Sequence, residues 1–557
     1  MDFRRSVLWV IFTISVIFLY NSWLRYNGQS GLFGEPAAVT AKAPATAGRA
    51  GDVPTPALQT PAALPGGATA ASVAPGVASA PKATLTSIRT DVLDMKVSSE
   101  GGNLVYAKLL KYASHADAQD DLVLLDNSPN NIYMAQSGLV GGDFPNHKTP
   151  MTLLPGPTQM GGADTLTVRM QSPVVGGLQL TRSYTFKRGS YVIAVSNEIV
   201  NKGTTPATPQ LYLQLVRDGN DPSTGTHFYH TFTGPAIYDS KDKFQKFEFK
   251  DIGDQTKIIK SDDGWLAMVQ HYFVSAWLPH PDKGPREFYL RKLEPNLYAT
   301  GVMLPLPTLA PGARTVQTDT LYVGPEIESQ LQGLAPGFEL VKDYGWVTII
   351  AKPLFWVLEQ IHAVLRNWGW SIIALTVLLK LLFFPLTAAS YRSMARMKAV
   401  APRLNALRER HKNDQAAMNA AMVEMYRKEK INPLGGCLPI VIQIPVFIAL
   451  YWVLLSSVEL RGAPWLGWIH DLSAKDPYYI LPAIMTATSF LQVKLNPTPP
   501  DPMQARLMWI MPAAFSVMFF FFPAGLVLYW LTNNLISIAQ QWFINKKMGV
   551  PEFSDPK

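Results

Sequence analysis

From Leu507 to Asn545 the chain carries no charged side chain, a run of 39 residues. This stretch constrains the fold more than any other. Coiled as one helix it would measure about 58 Å at ~1.5 Å per residue, yet the apolar core of a bilayer is only ~30 Å thick. It therefore reads as two spans, with FPAG at 522–525 as the turn. Two more uncharged runs, 431–458 and 477–493, read as one span each. Residues 370–390 form another, broken only by the ammonium of Lys380. Near the start, Ser6–Leu24 is uncharged for 19 residues and follows Arg4 and Arg5. A cleaved signal peptide is the rival reading there, but YNSWLRYNG after the apolar run lacks a small-x-small site, which favours an uncleaved anchor.

These segments make six spans, and charge sets their direction. Residues 391–430 hold ten Lys/Arg against four Asp/Glu. Starting with the N-terminus in the cytoplasm, six crossings put this basic loop and Lys546/Lys547 on the cytoplasmic side, where cationic loops collect. The region between the first and second spans falls outside, and both termini are cytoplasmic.

The expected layout is an anchor over 1–25, a flexible linker over 26–84, a β domain over 85–335, an amphipathic interfacial helix over 336–369, the second span over 370–390, a basic helical hairpin over 391–430, spans three to six over 431–545, and a cytoplasmic tail over 546–557. The linker is rich in Ala, Pro, Gly and Thr and has no aromatic residue between Phe33 and Tyr106. It buries too little apolar area to offset the entropy of ordering. The β domain shows short alternating runs. LQLTRSYTF (178–186), KRGS and YVIAVSNEIV (191–200) read as a hairpin, and 210–216 and 314–323 repeat the texture. About 250 residues of this kind suggest a large antiparallel β-sandwich. The fold class expected is a polytopic α-helical membrane protein carrying that sandwich.

The hairpin reads as two helices joined near 411–414. Met397, Val400, Leu404 and Leu407 give the first an apolar stripe, and Met418, Met422 and Met425 mark the second. Pro402 should bend the first. Packing of the two stripes explains the pattern by itself. The cations Arg392, Arg396, Lys398, Arg403, Arg408, Arg410, Lys412, Arg427 and Lys428 also suit acidic lipid headgroups or ribosomal RNA, and thioethers suit varied apolar partners.

A cation at mid-bilayer costs roughly 2.5–3.5 kcal/mol on insertion scales. Snorkelling of the long stem toward the inner interface is the bland account of Lys380. The sharper account is a water-filled groove among the spans, lined also by Thr376, Gln443, Thr532, Asn533 and Asn534. Spans two to six contain no Asp or Glu, so Lys380 has no carboxylate there to neutralise it.

Enzyme readings find little support. The sequence has no HExxH, no GxSxG and no P-loop. An intramembrane hydrolase using Lys380 as a base has no serine close by on its helix, Ser371 being nine residues away. A solute transporter should show paired broken helices or acidic coupling residues, and neither is evident. On a strand, the i, i+3 spacing of His227 and His230 in HFYHTF would put them on opposite faces, which argues against a metal site. With one cysteine, Cys437, there is no disulfide framework. No metal or other cofactor and no small-molecule substrate are expected.

NPLGGCLPIVIQIPVFIALYWVLLSSVELRGAPWLGWIHDLSAKDPYYILP (432–482), DPM (501–503) and FPAGLVLYWLTNN (522–534) resemble the YidC membrane protein insertase family of Gram-negative bacteria, related to mitochondrial oxidase-assembly and chloroplast thylakoid insertases. The likeness is nearly continuous over 345–545. It implies a five-span core around a hydrophilic groove, open to the cytoplasm and lipid and closed outside, in the bacterial inner membrane. It also implies a partner-docking and spacer role for the periplasmic sandwich. In the family a cation on the second span, usually arginine, sits in the groove, and the matching residue here is Lys380. Lysine keeps the charge and gives up the planar fork of donors. The family's substrate contacts map to Thr376, Phe447, Met485, Met518 and Trp530, the last a tryptophan where tyrosine is usual. The resemblance further implies that nascent membrane proteins are the clients, handled alone or with the Sec translocon, and that the basic hairpin meets ribosome or client.

Overall fold

The computed structural model describes residues 53–54, 83–114, 120–221, 231–253, 255–280, 284–411, 414–428, 438–496, 502–547 and 549. The expected anchor, nearly all of the linker, and His227, His230, Lys412 and Cys437 lie outside these residues.

The described residues of the β domain form two nine-stranded antiparallel sheets. One runs, in spatial order, Leu85–Arg89, Leu93–Ser98, Leu104–Ala113, Asp121–Ser128, Asn131–Val140, Gln210–Asp218, Leu297–Pro305, Arg286–Glu294 and Lys257–Ser261. The other runs Lys243–Lys246, Gly234–Asp239, Trp265–Gln270, Phe273–Leu278, Arg314–Pro325, Val192–Asn201, Leu178–Lys187, Thr165–Gln171 and Thr152–Leu153. The hairpin read at 178–200 is present, with Thr181 opposite Glu198 and Phe186 opposite Ile193. Every second residue of its two strands is buried, as a half-covered sheet requires. Trp265, Trp277, Tyr133 and Phe186 fill the space between the sheets. Arg182 lies fully buried among them. Its guanidinium donates to Asn197 Oδ1 (2.9 Å), the Gly101 carbonyl (2.6 Å) and the Ser137 carbonyl (3.0 Å). It thus pins one sheet to the other without orphaned charge.

Beyond the sandwich the chain is helical: α1 Thr348–Leu365, α2 Trp368–Leu382, α3 Phe384–Arg410, α4 Gln415–Lys428, α5 Leu438–Ser456, α6 Ile480–Leu495, α7 Pro502–Phe519 and α8 Ala524–Lys547. The boundary between α1 and α2 is local chemistry. Arg366 takes a left-handed φ of 52° and closes α1 through the His362 carbonyl. Asn367 then caps α2 by accepting from the Trp370 N–H (3.1 Å), satisfying an orphan donor.

The span expected over 370–390 is not one helix. It breaks at Phe383, and α2 and α3 meet at 67°. Pro385 explains the break: it has no N–H to give to the Leu381 carbonyl and its ring crowds that carbonyl, so it stands in the first turn of a new helix rather than inside one. The bend expected at Pro402 is not a break, because α3 continues through that residue. Of the described helices, α1 is long and apolar enough to cross a bilayer unbroken. Gln443–Ser456 of α5, Ile480–Leu495 (α6) and Arg506–Phe519 of α7 are apolar but shorter than 18 residues. The turn between α7 and α8 falls at 520–523, beside the FPAG signal. Ile372, Leu375, Ala449, Val453, Met485 and Val527 pack a common core. Leu507, Ile510, Phe515 and Val517 of α7 stay exposed, an outward hydrocarbon face suited to lipid.

Candidate functional site

Lys380 sits in the last turn of α2, two residues before the helix ends. The unpaired carbonyls at a helix C-terminus carry partial negative charge. An ammonium is therefore better tolerated there than sequence position alone suggests. Its side chain is buried and Nζ donates to Ser537 Oγ on α8 (2.8 Å). No carboxylate occurs on α2 or on α5 to α8.

Ser537 belongs to a polar stripe on α8. Asn533 Oδ1 accepts from Gln443 Nε2 on α5 (2.9 Å). Asn534 Nδ2 donates to Ser489 Oγ on α6 (3.0 Å). Gln541 Nε2 donates to Asn496 Oδ1 (3.0 Å) and the Leu495 carbonyl (3.2 Å) at the end of α6. Thus α8 holds α2, α5 and α6 by side-chain hydrogen bonds in an otherwise apolar bundle. Gln443, Asn533 and Lys380 take part. Thr376 and Thr532 do not reach across: their hydroxyls return to the Ile372 and Leu528 carbonyls of their own helices. Sequence reading passed over Ser489, Ser537 and Gln541. The last two continue from Asn533 at four-residue steps, a helical polar stripe that periodicity could have found.

Beside this stripe lies an aromatic and thioether surface. Phe447 meets Trp530 edge to face at 4.5 Å, and Phe519 meets Trp530 at 5.3 Å. Met485 is buried in the same core, and Met518 packs against it. The Trp530 indole N–H is buried and has no partner among the described residues.

The opposite end of the bundle is closed by the loop between α5 and α6. Trp465 packs directly against Gly369, so that a methyl built there would overlap the indole. Asn367 Nδ2 donates to the Pro464 carbonyl (3.1 Å). The loop backbone receives the first N–H groups of α8, Ala524 to the Ala474 carbonyl (2.7 Å) and Gly525 to the Leu472 carbonyl (2.9 Å). The Asp476 carboxylate accepts from Trp468 Nε1 (3.0 Å), Tyr478 N (3.0 Å) and Leu481 N (2.7 Å).

This loop also docks on the sandwich. Glu459 pairs with Lys342 at 3.0 and 3.1 Å, and the Lys342 side chain is fully buried with Nζ 3.6 Å from the Phe355 ring centre. Arg461 donates to the Ala113 and Ser114 carbonyls (2.7 Å each). His271 Nε2 lies 3.0 Å from the Leu455 carbonyl at the end of α5. Burial lowers the His271 pKa to about 4, helped by the Arg461 charge and opposed by that carbonyl. Burial also holds the Glu326 carboxyl and the Tyr344 phenol well above their ordinary ranges.

The basic hairpin is present as α3 and α4. Val400 and Leu404 are buried, and Met418, Met422 and Met425 half-buried. Arg392, Arg396, Arg403, Arg410, Arg427 and Lys428 are exposed. Lys398 and Arg408 fall on α3, with side chains outside the described set. Among the described residues no group of His, Cys, Asp and Glu could hold a metal ion.

Residues 85–357 match the family model of the YidC periplasmic domain. Residues 360–551 match that of the 60Kd inner membrane protein. The membrane protein insertase YidC of Cupriavidus necator is 53% identical over 99% of this chain and 98% of its own length. That of Cupriavidus taiwanensis is 54% identical with the same coverage. A crystal structure of an active YidC insertase with its first transmembrane domain resolved is 18% identical, covering 82% of this chain and 93% of that one at a TM-score of 0.37.

Proposed function

Because this chain belongs to the YidC family of membrane protein insertases, a non-enzymatic family of the bacterial inner membrane with a periplasmic domain, we propose that Lys380 and the α8 stripe line the path by which a client's polar tail enters the bilayer. The tail approaches between α2, α5 and α8 and is attracted to the ammonium. Water and polar side chains there lower the cost of moving its polar groups out of the aqueous phase. The client's apolar segment slides along α5 and α7, past Thr376, Phe447, Met485, Met518 and Trp530, and burial in lipid drives release. No covalent bond is made or broken. The single observation that carries this reading is a buried cation held by a neutral hydroxyl, with no acid on α2 or on α5 to α8.

The proposed layout follows the spans read from the sequence. There are six crossings, the anchor at 1–25 is the first, both termini and the α3–α4 hairpin are cytoplasmic, and the α5–α6 loop is outside. Contact of that loop with the periplasmic sandwich supports the last point. Exposed cations on the hairpin suit anionic lipid or ribosomal RNA. Larger clients would be shared with the Sec translocon.

The test uses two single-span reporters that differ only in tail charge. Lys380→Ala should slow insertion of the acidic tail by about tenfold, the scale of one charge-assisted bond, and spare the neutral one. Lys380→Arg should leave both near normal. Equal loss for both tails would remove the electrostatic role, and failure of Lys380→Arg would point to lysine chemistry instead.

A further inference from the structure

The Ser537 hydroxyl bonds in two directions. It donates to the Asn533 carbonyl (2.8 Å). It accepts from the Lys380 ammonium (2.8 Å). A serine offers one donor and two acceptor positions, so the donor and one acceptor position are used. Two helices meet at this one oxygen: α2 through Lys380 and α8 itself. Ser537 and Lys380 are 3% and 6% exposed, so neither bond is a surface accident.

We propose that Ser537 is a positioning residue for insertion: it is the internal acceptor that holds the Lys380 ammonium while the groove is client-free and yields it to a client's acidic tail. This rests on the reading of Lys380 given above. The chemistry of the acceptor decides the behaviour. A neutral hydroxyl orders the ammonium without cancelling its charge. An incoming carboxylate forms the stronger, charge-assisted bond and takes its place. When Lys380 leaves, Ser537 keeps its bond to the Asn533 carbonyl, so no buried hydroxyl is orphaned. A carboxylate built into position 537 would match any client and keep the lysine.

The experiment uses the full-length protein in proteoliposomes and the same pair of acidic-tail and neutral-tail reporters. Ser537→Asp should lower acidic-tail insertion about tenfold, as expected for losing one charge-assisted bond, with the neutral tail little changed. Ser537→Thr, which keeps the hydroxyl, should match the parent. Ser537→Ala should shift the acidic-to-neutral ratio by about tenfold, on the scale of one hydrogen bond to a charge. The double variant Lys380→Ala/Ser537→Asp should be no worse than Lys380→Ala. Equal loss for both tails in Ser537→Asp, an unchanged ratio in Ser537→Ala, or an additive double variant would each overturn the proposal and leave Ser537 a packing residue. Lys380→Ala keeps the two ideas apart. If it discriminates between the tails while the Ser537 variants do not, this inference alone fails. If Lys380→Ala itself does not discriminate, the reading beneath it fails as well.

Discussion

Lys380 is held at a cost to stability. A buried cation must give up its hydration, and a single neutral hydroxyl returns only part of that. The α2 carbonyls add a modest favourable field. Replacing Lys380 by Met removes the charge and keeps an unbranched stem. The membrane core should then become more stable by about 1–3 kcal/mol, the range seen when apolar groups replace buried ions, while selectivity for acidic tails is lost. Denaturant midpoints of the detergent-solubilised protein would read the first effect, and the paired reporters the second. A less stable Lys380→Met protein would mean that the ammonium is bound more strongly than one hydroxyl allows.

At the scale of elements, the loop between α5 and α6 organises the bundle. Its Asp476 carboxylate gathers two backbone N–H groups at the start of α6 and the Trp468 indole. Bonds to a charged acceptor are worth about 1.5–3 kcal/mol each. Asp476→Ala should therefore cost several kcal/mol, and Asp476→Asn, which keeps one good acceptor, roughly half as much. Thermal unfolding of the two variants would check the order, and equal losses would contradict it. How legible these elements are in the sequence depends on how local their causes are. The strands at 178–201 announce themselves by alternation, and the α3–α4 hairpin by its two stripes and the turn at 411–414. The break at Phe383 was written in Pro385 but masked by the apolar run around it. The partner of Lys380 was illegible, because Ser537 is 157 residues away and its hydroxyl looks unremarked among apolar neighbours. Asp476 was hidden for another reason: a loop aspartate earns its place only through donors that folding brings to it.

Across the whole molecule, the periplasmic sandwich and the membrane helices are joined through buried polar chemistry. Removing one partner of a buried ion pair costs about 3–5 kcal/mol, whereas replacing both by apolar residues of similar size is often neutral. Glu459→Ala should thus loosen the junction far more than the double variant Lys342→Met/Glu459→Leu, with protease cutting near 335–345 as the readout. Similar cutting of both would show that the pair does not carry the junction. His271 gives the junction a pH dependence. Its folded pKa of about 4 lies below the ordinary 6.5, so the unfolded state binds more protons between these values. Stability from this group is present above about pH 6.5 and is lost as pH falls toward 4, by up to about 3 kcal/mol. Unfolding midpoints across that window should fall for the parent and stay flatter for His271→Gln, and parallel curves would exclude the residue. The same junction fixes the Leu455 end of α5 through His271, while Gln443 lies 12 residues away, about 18 Å along the helix, with Pro445 interrupting the hydrogen-bond ladder between them. Such a helix behaves as a cantilever with a compliant tip. A wedge driven into the bundle from the far end would swing Gln443 off Asn533 long before it disturbed the clamped root, so opening and sealing are allotted to opposite ends of one rod.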